Sequence, residues 1–252
     1  MKTIKEITMA LKEAEEWQDW MRDLANDERA GVQKAWQSWQ KRQEKKQQLV
    51  QEHQAKIDFD RSYGKQGALI AGVDEAGRGP LAGPVVTAAV ILPENCSALV
   101  GLNDSKQLSK EKRNEFAELV KTHALSYSIH FQSAEMIDTL NIYEATKQSM
   151  KCSVEALSIK PDYVLVDAMT LPIAIPQASI IKGDAKSLAI AAASILAKTA
   201  RDEYMEELDQ EFPMYGFAQH AGYGTKQHLE ALATYGITTH HRKSFEPIKS
   251  ML

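Results

Sequence analysis

Disulfide chemistry is missing from this sequence: its two cysteines, Cys96 and Cys152, are too few for a disulfide framework or a thiolate zinc site. Both read as small buried hydrophobes. No apolar run approaches the roughly 18 residues needed to cross a bilayer. The start shows no basic stretch followed by an apolar run, so no secretory signal is read and the cytoplasm is the expected address. A positive excess is missing too, since 30 Lys and Arg against 34 Asp and Glu leave a net charge of −4. That argues against a general nucleic-acid coat protein, though not against an enzyme whose basic groups gather at one cleft. What remains is 252 residues, 44% of them hydrophobic, enough for one or two domains with a proper core. Helix formers and β-branched residues are both plentiful, which points to a mixed α/β class.

Proline is absent from the first 63 residues, and glycine occurs there once, at Gly31. All four tryptophans, Trp17, Trp20, Trp36 and Trp39, lie in this segment. Within residues 1–66 the charges nearly cancel, 13 basic against 12 acidic. Ile7, Leu11, Ala14, Trp17, Met21 and Leu24 recur at helical steps, and after a turn around Asn26–Gly31 a second stripe starts at Val32, Ala35, Trp36 and Trp39. The pattern predicts a helical hairpin followed by a polar, frayed stretch over Lys41–Gln54. Its tryptophans either stack on nucleic acid or pack the two helices together, and packing is the usual use of such a stripe.

From residue 67 the texture changes, so residues 1–66 read as a helical extension and 67–252 as the main domain. Strands are expected at Ala68–Asp74, Val85–Leu92, Ser126–Phe131, Asp162–Asp167 and Ala178–Lys182. Helices are expected at Ser109–Ala124, Ile142–Leu157, Ala185–Leu208 and Thr225–Tyr235. The first two strands are too close for a helical crossover and should pair antiparallel, whereas the helices between later strands suggest parallel pairing. The expected fold is a mixed sheet flanked by helices.

Acids stand where those strands end. Asp74 and Glu75 follow an apolar run and lead into Ala76, Gly77, Arg78, Gly79 and Pro80, which do not continue a strand comfortably. Asp167 closes Tyr163–Val166, and Asp184 follows the fifth strand at the start of a long helix. In α/β folds ligands gather at such ends. Clustered carboxylates repel one another, and a hard divalent cation, Mg²⁺ or Mn²⁺, removes that cost. Two ions about 4 Å apart would serve hydrolysis of a phosphodiester. Each acid has a plainer alternative: Asp184 as a helix N-cap, Asp167 as a strand terminator, Asp74 and Glu75 as a solvated turn.

Gly77-Arg78-Gly79 lacks the Lys-Ser/Thr of a P-loop, yet its glycines let main-chain amides approach a ligand closely. Arg78 either contacts phosphate or pairs with one of the carboxylates. Lys106, Lys182 and Lys186 either neutralise phosphates or sit solvated on the surface. Tyr223, between Gly222 and Gly224, either stacks on a sugar or base or anchors its loop. His228, His240, His241, Arg242 and Lys243 add local positive character, and the histidines have no recognised zinc spacing.

Together these residues resemble the prokaryotic ribonuclease HII family. The matching stretches are Ala71 to Val85, Asp104-Ser105-Lys106-Gln107-Leu108-Ser109, Asn141-Ile142-Tyr143-Glu144-Ala145, Val166-Asp167-Ala168, Ile181 to Ser187 and Gly222-Tyr223-Gly224-Thr225. The resemblance implies an RNase H-like fold with a helical C-terminal part. It implies a metal-dependent endoribonuclease that cuts RNA in RNA–DNA hybrids and incises 5′ of single ribonucleotides in duplex DNA, leaving 3′-hydroxyl and 5′-phosphate ends. By the same resemblance Asp74, Glu75, Asp167 and Asp184 are the metal-binding carboxylates. Gly77, Arg78 and Gly79 read the 2′-hydroxyl through their backbone, and Tyr223 packs on the deoxyribose just 3′ of it. A monomer is expected, with room for a replication-associated protein partner. Residues 1–66 are absent from the shortest family members, and extra duplex contact, a partner or simple stabilisation are open roles for them. The rivals are a ribonuclease HIII-like enzyme that incises single ribonucleotides poorly and a non-catalytic hybrid-binding module.

Overall fold

The computed structural model describes residues 2–103, 105 and 107–252, so Lys106 lies outside the described residues. The chain divides into two compact units, 1–54 and 55–252.

In the first unit, helix α1 (Ile4–Glu13) begins at a capping box in which Thr3 and Glu6 bond each other's backbone. The expected helical stripe runs on to Leu24, but α1 stops at Glu13. The carbonyl of Ala14 is taken by Trp39 Nε1 at 2.9 Å and by Arg42 Nη2 at 2.8 Å, so it is not available to a further helical turn. Met21 and Leu24 are still buried, each on a short 3₁₀ turn. Trp36 and Trp39 stack at 5.0 Å, and the half-exposed Trp17 meets them edge-on at 5.8 and 6.3 Å. The tryptophans therefore pack this small core. Helix α2 spans Ala30–Arg61, so the stretch read as frayed is helical. Neither proline nor glycine interrupts residues 32–61, its Gln, Lys, Glu and Arg are good helix formers, and Gln48 bonds Glu52 one turn on.

The second unit is built on a five-stranded sheet of order β3-β2-β1-β4-β5. Its strands are β1 (Ile70–Ala76), β2 (Val85–Ile91), β3 (Ser126–Gln132), β4 (Tyr163–Asp167) and β5 (Gln177–Ile180). Strands β1 and β2 pair antiparallel, and β4 pairs parallel with both β1 and β5. Strand β3 departs from the expected parallel pairing and lies antiparallel to β2. After β2 come a 3₁₀ turn (Ser97–Leu99) and helix α3 (Lys110–His123), and the chain returns to the end where β2 stopped, with Leu125 N donating to Ile91 O at 2.9 Å. Helices α4 (Ala134–Leu140) and α5 (Ile142–Glu155) follow; α4 is an element the sequence pattern did not announce.

The helix expected over Ala185–Leu208 is two elements, α6 (Gly183–Lys186) and α7 (Leu188–Glu211). Ser187 breaks them apart with an extended backbone and caps α7 by accepting from Ile190 N. The first half of α7 is buried all round and covers one face of the sheet with a core of alanine, isoleucine and leucine. Met150 and Val154 of α5 fill the other face against β1, β2 and β4. Gly72 explains how closely α7 lies on β1: a Cβ there would sit 2.1 Å from the backbone of Ala189. Helices α8 (Phe217–His220) and α9 (Lys226–Tyr235) close a C-terminal cluster around Phe217 and Leu232. No helix among the described residues is long and apolar enough to cross a membrane.

Candidate active site

Strand register brings the first acids together. The parallel ladder between β1 and β4 ends at the pair Val73 and Val166, so the next residue on each strand is an aspartate, Asp74 and Asp167. On its other side β1 continues two residues further than expected, with Glu75 opposite Thr87 and Ala76 opposite Val86. The sheet thus splits at Asp74: paired toward β2, open toward β4. Burial and then the charges of Glu75 and Asp167 push the Asp74 carboxyl well above the usual range, opposed by bonds from Glu75 N at 2.7 Å and from the Ser194 hydroxyl of α7.

Asp167 is fixed from beyond the strand, its Oδ1 accepting from Gly183 N at 2.7 Å. Asp184 lies one residue further along α6, partly exposed, its Oδ1 accepting from Ala185 N at 2.9 Å. The helix-capping alternative for Asp184 does not hold for α7, because Ser187 occupies that position. All four acids offer hard oxygen donors, and the raised proton affinity of Asp74 is the kind of cost a divalent cation relieves. Among the described residues, however, no three His, Cys, Asp or Glu side chains converge into a ready metal cage.

Arg78 Nη1 lies 3.6 Å from Glu75 Oε1, so the ion-pair alternative is realised. With Arg78 half exposed and the atoms 3.6 Å apart, such a pair contributes little stability and leaves the arginine side chain available. The turn itself is held from below by two arginines. Arg242 donates to the carbonyls of Gly77 at 2.6 Å, Arg78 at 2.9 Å and Gly83 at 3.0 Å. Arg201 donates to Pro84 O at 3.1 Å, Ala82 O at 3.2 Å and Ala221 O at 3.0 Å. Both are buried, at 1% and 0% exposure, and burial brings them down to about 10 for Arg201 and about 9 for Arg242. They stay charged at neutral pH, and main-chain carbonyls take the place of water.

Arg201 also ties this turn to the loop carrying Tyr223. The tyrosine is 49% exposed, and a methyl placed on Gly79 would lie 3.5 Å from its Cε1. Its loop is anchored through the backbone, with His228 Nδ1 3.0 Å from Tyr223 O, which leaves the ring facing outward beside the turn. His228 and His241 share a bond of 3.0 Å, and His241 Nδ1 meets Thr238, so their ring nitrogens are engaged within the protein. Lys182, in the left-handed region at φ 56°, and Lys186 flank Asp184 with exposed side chains.

Sequence reasoning did not single out Arg201 and took Arg242 only as local positive charge. A signal for Arg201 was present: at steps of three and four it falls on one stripe with Ile190, Ala197, Met205 and Leu208. A charge on an apolar stripe marks a buried, hydrogen-bonded group.

Comparison with known proteins matches two family models, one described as Ribonuclease HII over residues 71–248 and one as Ribonuclease HII N-terminal domain over residues 3–64. A curated relative, Ribonuclease HII of Bacillus cereus, is 51% identical over 99% of this chain and 98% of its own. Among solved structures, the ribonuclease H2 of Pyrococcus horikoshii aligns with a TM-score of 0.64 at 28% identity, over 72% of this chain and 96% of its own. Ribonuclease HII of Archaeoglobus fulgidus, solved in complex with PCNA, aligns with a TM-score of 0.59 at 29% identity, over 71% and 95%.

Proposed function

The chain belongs to the ribonuclease HII family, and from that membership we propose that it incises duplex DNA on the 5′ side of a single embedded ribonucleotide. Membership makes it a ribonuclease H, a nuclease acting on RNA–DNA hybrids. The finer reading assigns Asp74, Glu75, Asp167 and Asp184 as the residues that hold divalent metal ions. The observation that carries it is the parallel register that sets Asp74 beside Asp167 at the point where β1 and β4 part, with Asp74 buried and its carboxyl raised. An all-oxygen donor set suits Mg²⁺ or Mn²⁺. When bound, such ions supply positive charge to activate water and stabilise the leaving oxygen.

The chain's own residues decide where the cut falls. Arg242 holds the carbonyls of Gly77 and Arg78, which fixes the turn, with Arg201 packed beneath Gly77 and Gly79 exposed. In this reading that backbone accepts the 2′-hydroxyl, and Tyr223, across from Gly79, packs on the next sugar toward the 3′ side. An aromatic face fits a bare C2′ and crowds a hydroxylated one, so the pair senses the RNA-to-DNA step. Lys182 and Lys186 stand exposed where they meet phosphates. The products carry 3′-hydroxyl and 5′-phosphate ends. A replication-associated partner fits the same reading, since the Archaeoglobus fulgidus relative was solved with PCNA.

The test is Asp74→Asn, which keeps the side chain's size and removes its charge. Hybrid binding is expected to persist while cleavage falls at least about 100-fold. Cleavage at the parental rate would remove the carboxylates from the mechanism.

A further inference from the structure

Asp60 is a buried carboxylate on the last turn of α2, outside the set of acids assigned above. Its Oδ2 accepts from Ala189 N at 2.9 Å, a hydrogen bond that spans 129 residues of chain and lands on the first turn of α7. The Ser187 hydroxyl and Leu188 amide also face this carboxylate. A negative group at a helix N-terminus meets both unpaired amides and the positive end of the helix dipole. One turn earlier Lys56 Nζ bonds Leu102 O at 3.1 Å and Asn103 Oδ1 at 3.0 Å, so this end of α2 is tied to two separate parts of the same unit.

What Asp60 holds is the start of the helix that follows Asp184. Gly72 of β1 supports the same turn from the sheet side, its missing Cβ allowing Ala189 to rest on the strand. From Ser187 the tie continues: Ser187 N donates to Gly183 O at 2.8 Å, and Gly183 N donates to Asp167 Oδ1 at 2.7 Å. The segment bearing Asp184 is therefore suspended between Asp167 and the start of α7, and Asp60 fixes the second of these points.

We propose that Asp60 is a positioning residue for the cleavage reaction, holding the main chain at Ala189 and thereby the place of Asp184 relative to Asp74 and Asp167. The inference rests on the assignment of Asp184 to the reacting site. The partners of Asp60 are Ala189, Ser187 and Leu188 at the start of α7, not the residues assigned to read the substrate, so it is expected to act on turnover rather than on hybrid binding. Its side chain also borders a cavity of about 590 Å³ lined by Ile57, Gly64, Leu69 and Leu92, so truncation opens onto existing space.

The experiment uses the full chain with Asp60→Ala, Asp60→Asn and Asp184→Asn. Kinetics are measured on an RNA–DNA hybrid well below the unfolding temperature, with amide exchange at Ala189 and Ile190. Asp60→Ala is expected to lower kcat about 10-fold or more, with KM for the hybrid unchanged and exchange at Ala189 accelerated. Asp60→Asn, whose amide oxygen still accepts from Ala189 N, is expected to recover most of the loss. If Asp184→Asn is inactive while Asp60→Ala keeps the parental kcat, the positioning role is overturned and the site assignment stands. If Asp184→Asn is itself fully active, the assignment fails and the inference falls with it. Loss of kcat and KM together, unrescued by asparagine, would also overturn it, marking a general structural role.

Discussion

Gly77→Ala is the perturbation whose outcome the geometry fixes most tightly. Gly77 sits at φ +89°, and a Cβ there would lie 1.9 Å from Arg201 Nε and 2.3 Å from Cδ. The left-handed backbone alone costs about 1–2 kcal/mol for an alanine. Arg201 cannot swing aside freely, because it is buried and its head donates to Pro84, Ala82 and Ala221. Displacing it breaks charge-assisted bonds, and losing one or two of them in a buried setting costs about 3–5 kcal/mol. The sum, about 4–7 kcal/mol, corresponds at roughly 2–4 °C per kcal/mol to a drop in Tm of about 8–28 °C. Gly79→Ala is the control. Its Cβ meets only Tyr223 Cε1, at an ordinary contact of 3.5 Å, and Gly79 is not in the left-handed region. Its stability should stay within about 0.5–1 kcal/mol of the parent. Thermal unfolding followed by circular dichroism compares the two directly. A Gly77→Ala protein that melts within about 3 °C of the parent would refute the account of Arg201 as the immovable floor of the turn.

Tyr223→Ala should leave stability within about 0.5 kcal/mol, because the ring is half exposed, yet lower incision at a single ribonucleotide more than cleavage of a long hybrid. Parallel assays on the two substrates check this. Asp60 gives a pH signature: burial raises its carboxyl from 3.8 to about 6, against the opposing Lys56 charge and the bonds from Ser187, Ala189 and Leu188. A folded pKa above the unfolded one means the folded state binds the proton more tightly. The ionised form therefore costs stability above about pH 6, a cost that fades as pH falls toward 4. Urea unfolding should show Asp60→Asn gaining on the parent, by up to about 3 kcal/mol, between about pH 4.5 and 7.5. Removing residues 1–54 should leave a more active protein than removing 1–66, since the longer deletion also takes Lys56 and Asp60; equal turnover of the two truncated proteins would contradict this.

Much of the sheet was legible because its strands are short apolar runs ended by glycine, proline or acid, and Val85–Ile91 is buried along its whole length. Asp167 could be placed at a strand end for the same reason, whereas β1 runs two residues past Asp74, to Ala76. That the two aspartates cluster is inferable from strand-end placement and from the resemblance; which residues stand side by side was not legible, since it depends on a register between segments some ninety residues apart. The direction of β3 was missed because an intervening helix reports that the chain crosses, not at which end of the sheet it returns. The sequence pattern runs Ser187 into the start of one long helix rather than marking a break there, although a serine before Leu188 is an ordinary cap. The arginines beneath the glycine turn escaped for a different cause. Their partners are main-chain carbonyls, which carry no sequence signature: the apolar stripe around Arg201 could mark it as buried, but not what it binds, and Arg242 had no such stripe. In the first unit, the α1 boundary was set by side chains reaching back from α2, a tertiary effect that periodicity cannot register.

In the proposed function the acids cut while the glycine turn and Tyr223 choose the place. A DNA duplex carrying one ribonucleotide, labelled at its 5′ end and treated with the protein and Mg²⁺ or Mn²⁺, tests it most directly. The expected result is a single incision on the 5′ side of the ribonucleotide, a 3′-hydroxyl on the labelled fragment, and no product once the metal is chelated. Cleavage confined to long RNA–DNA hybrids, or cleavage that persists in chelator, would contradict it.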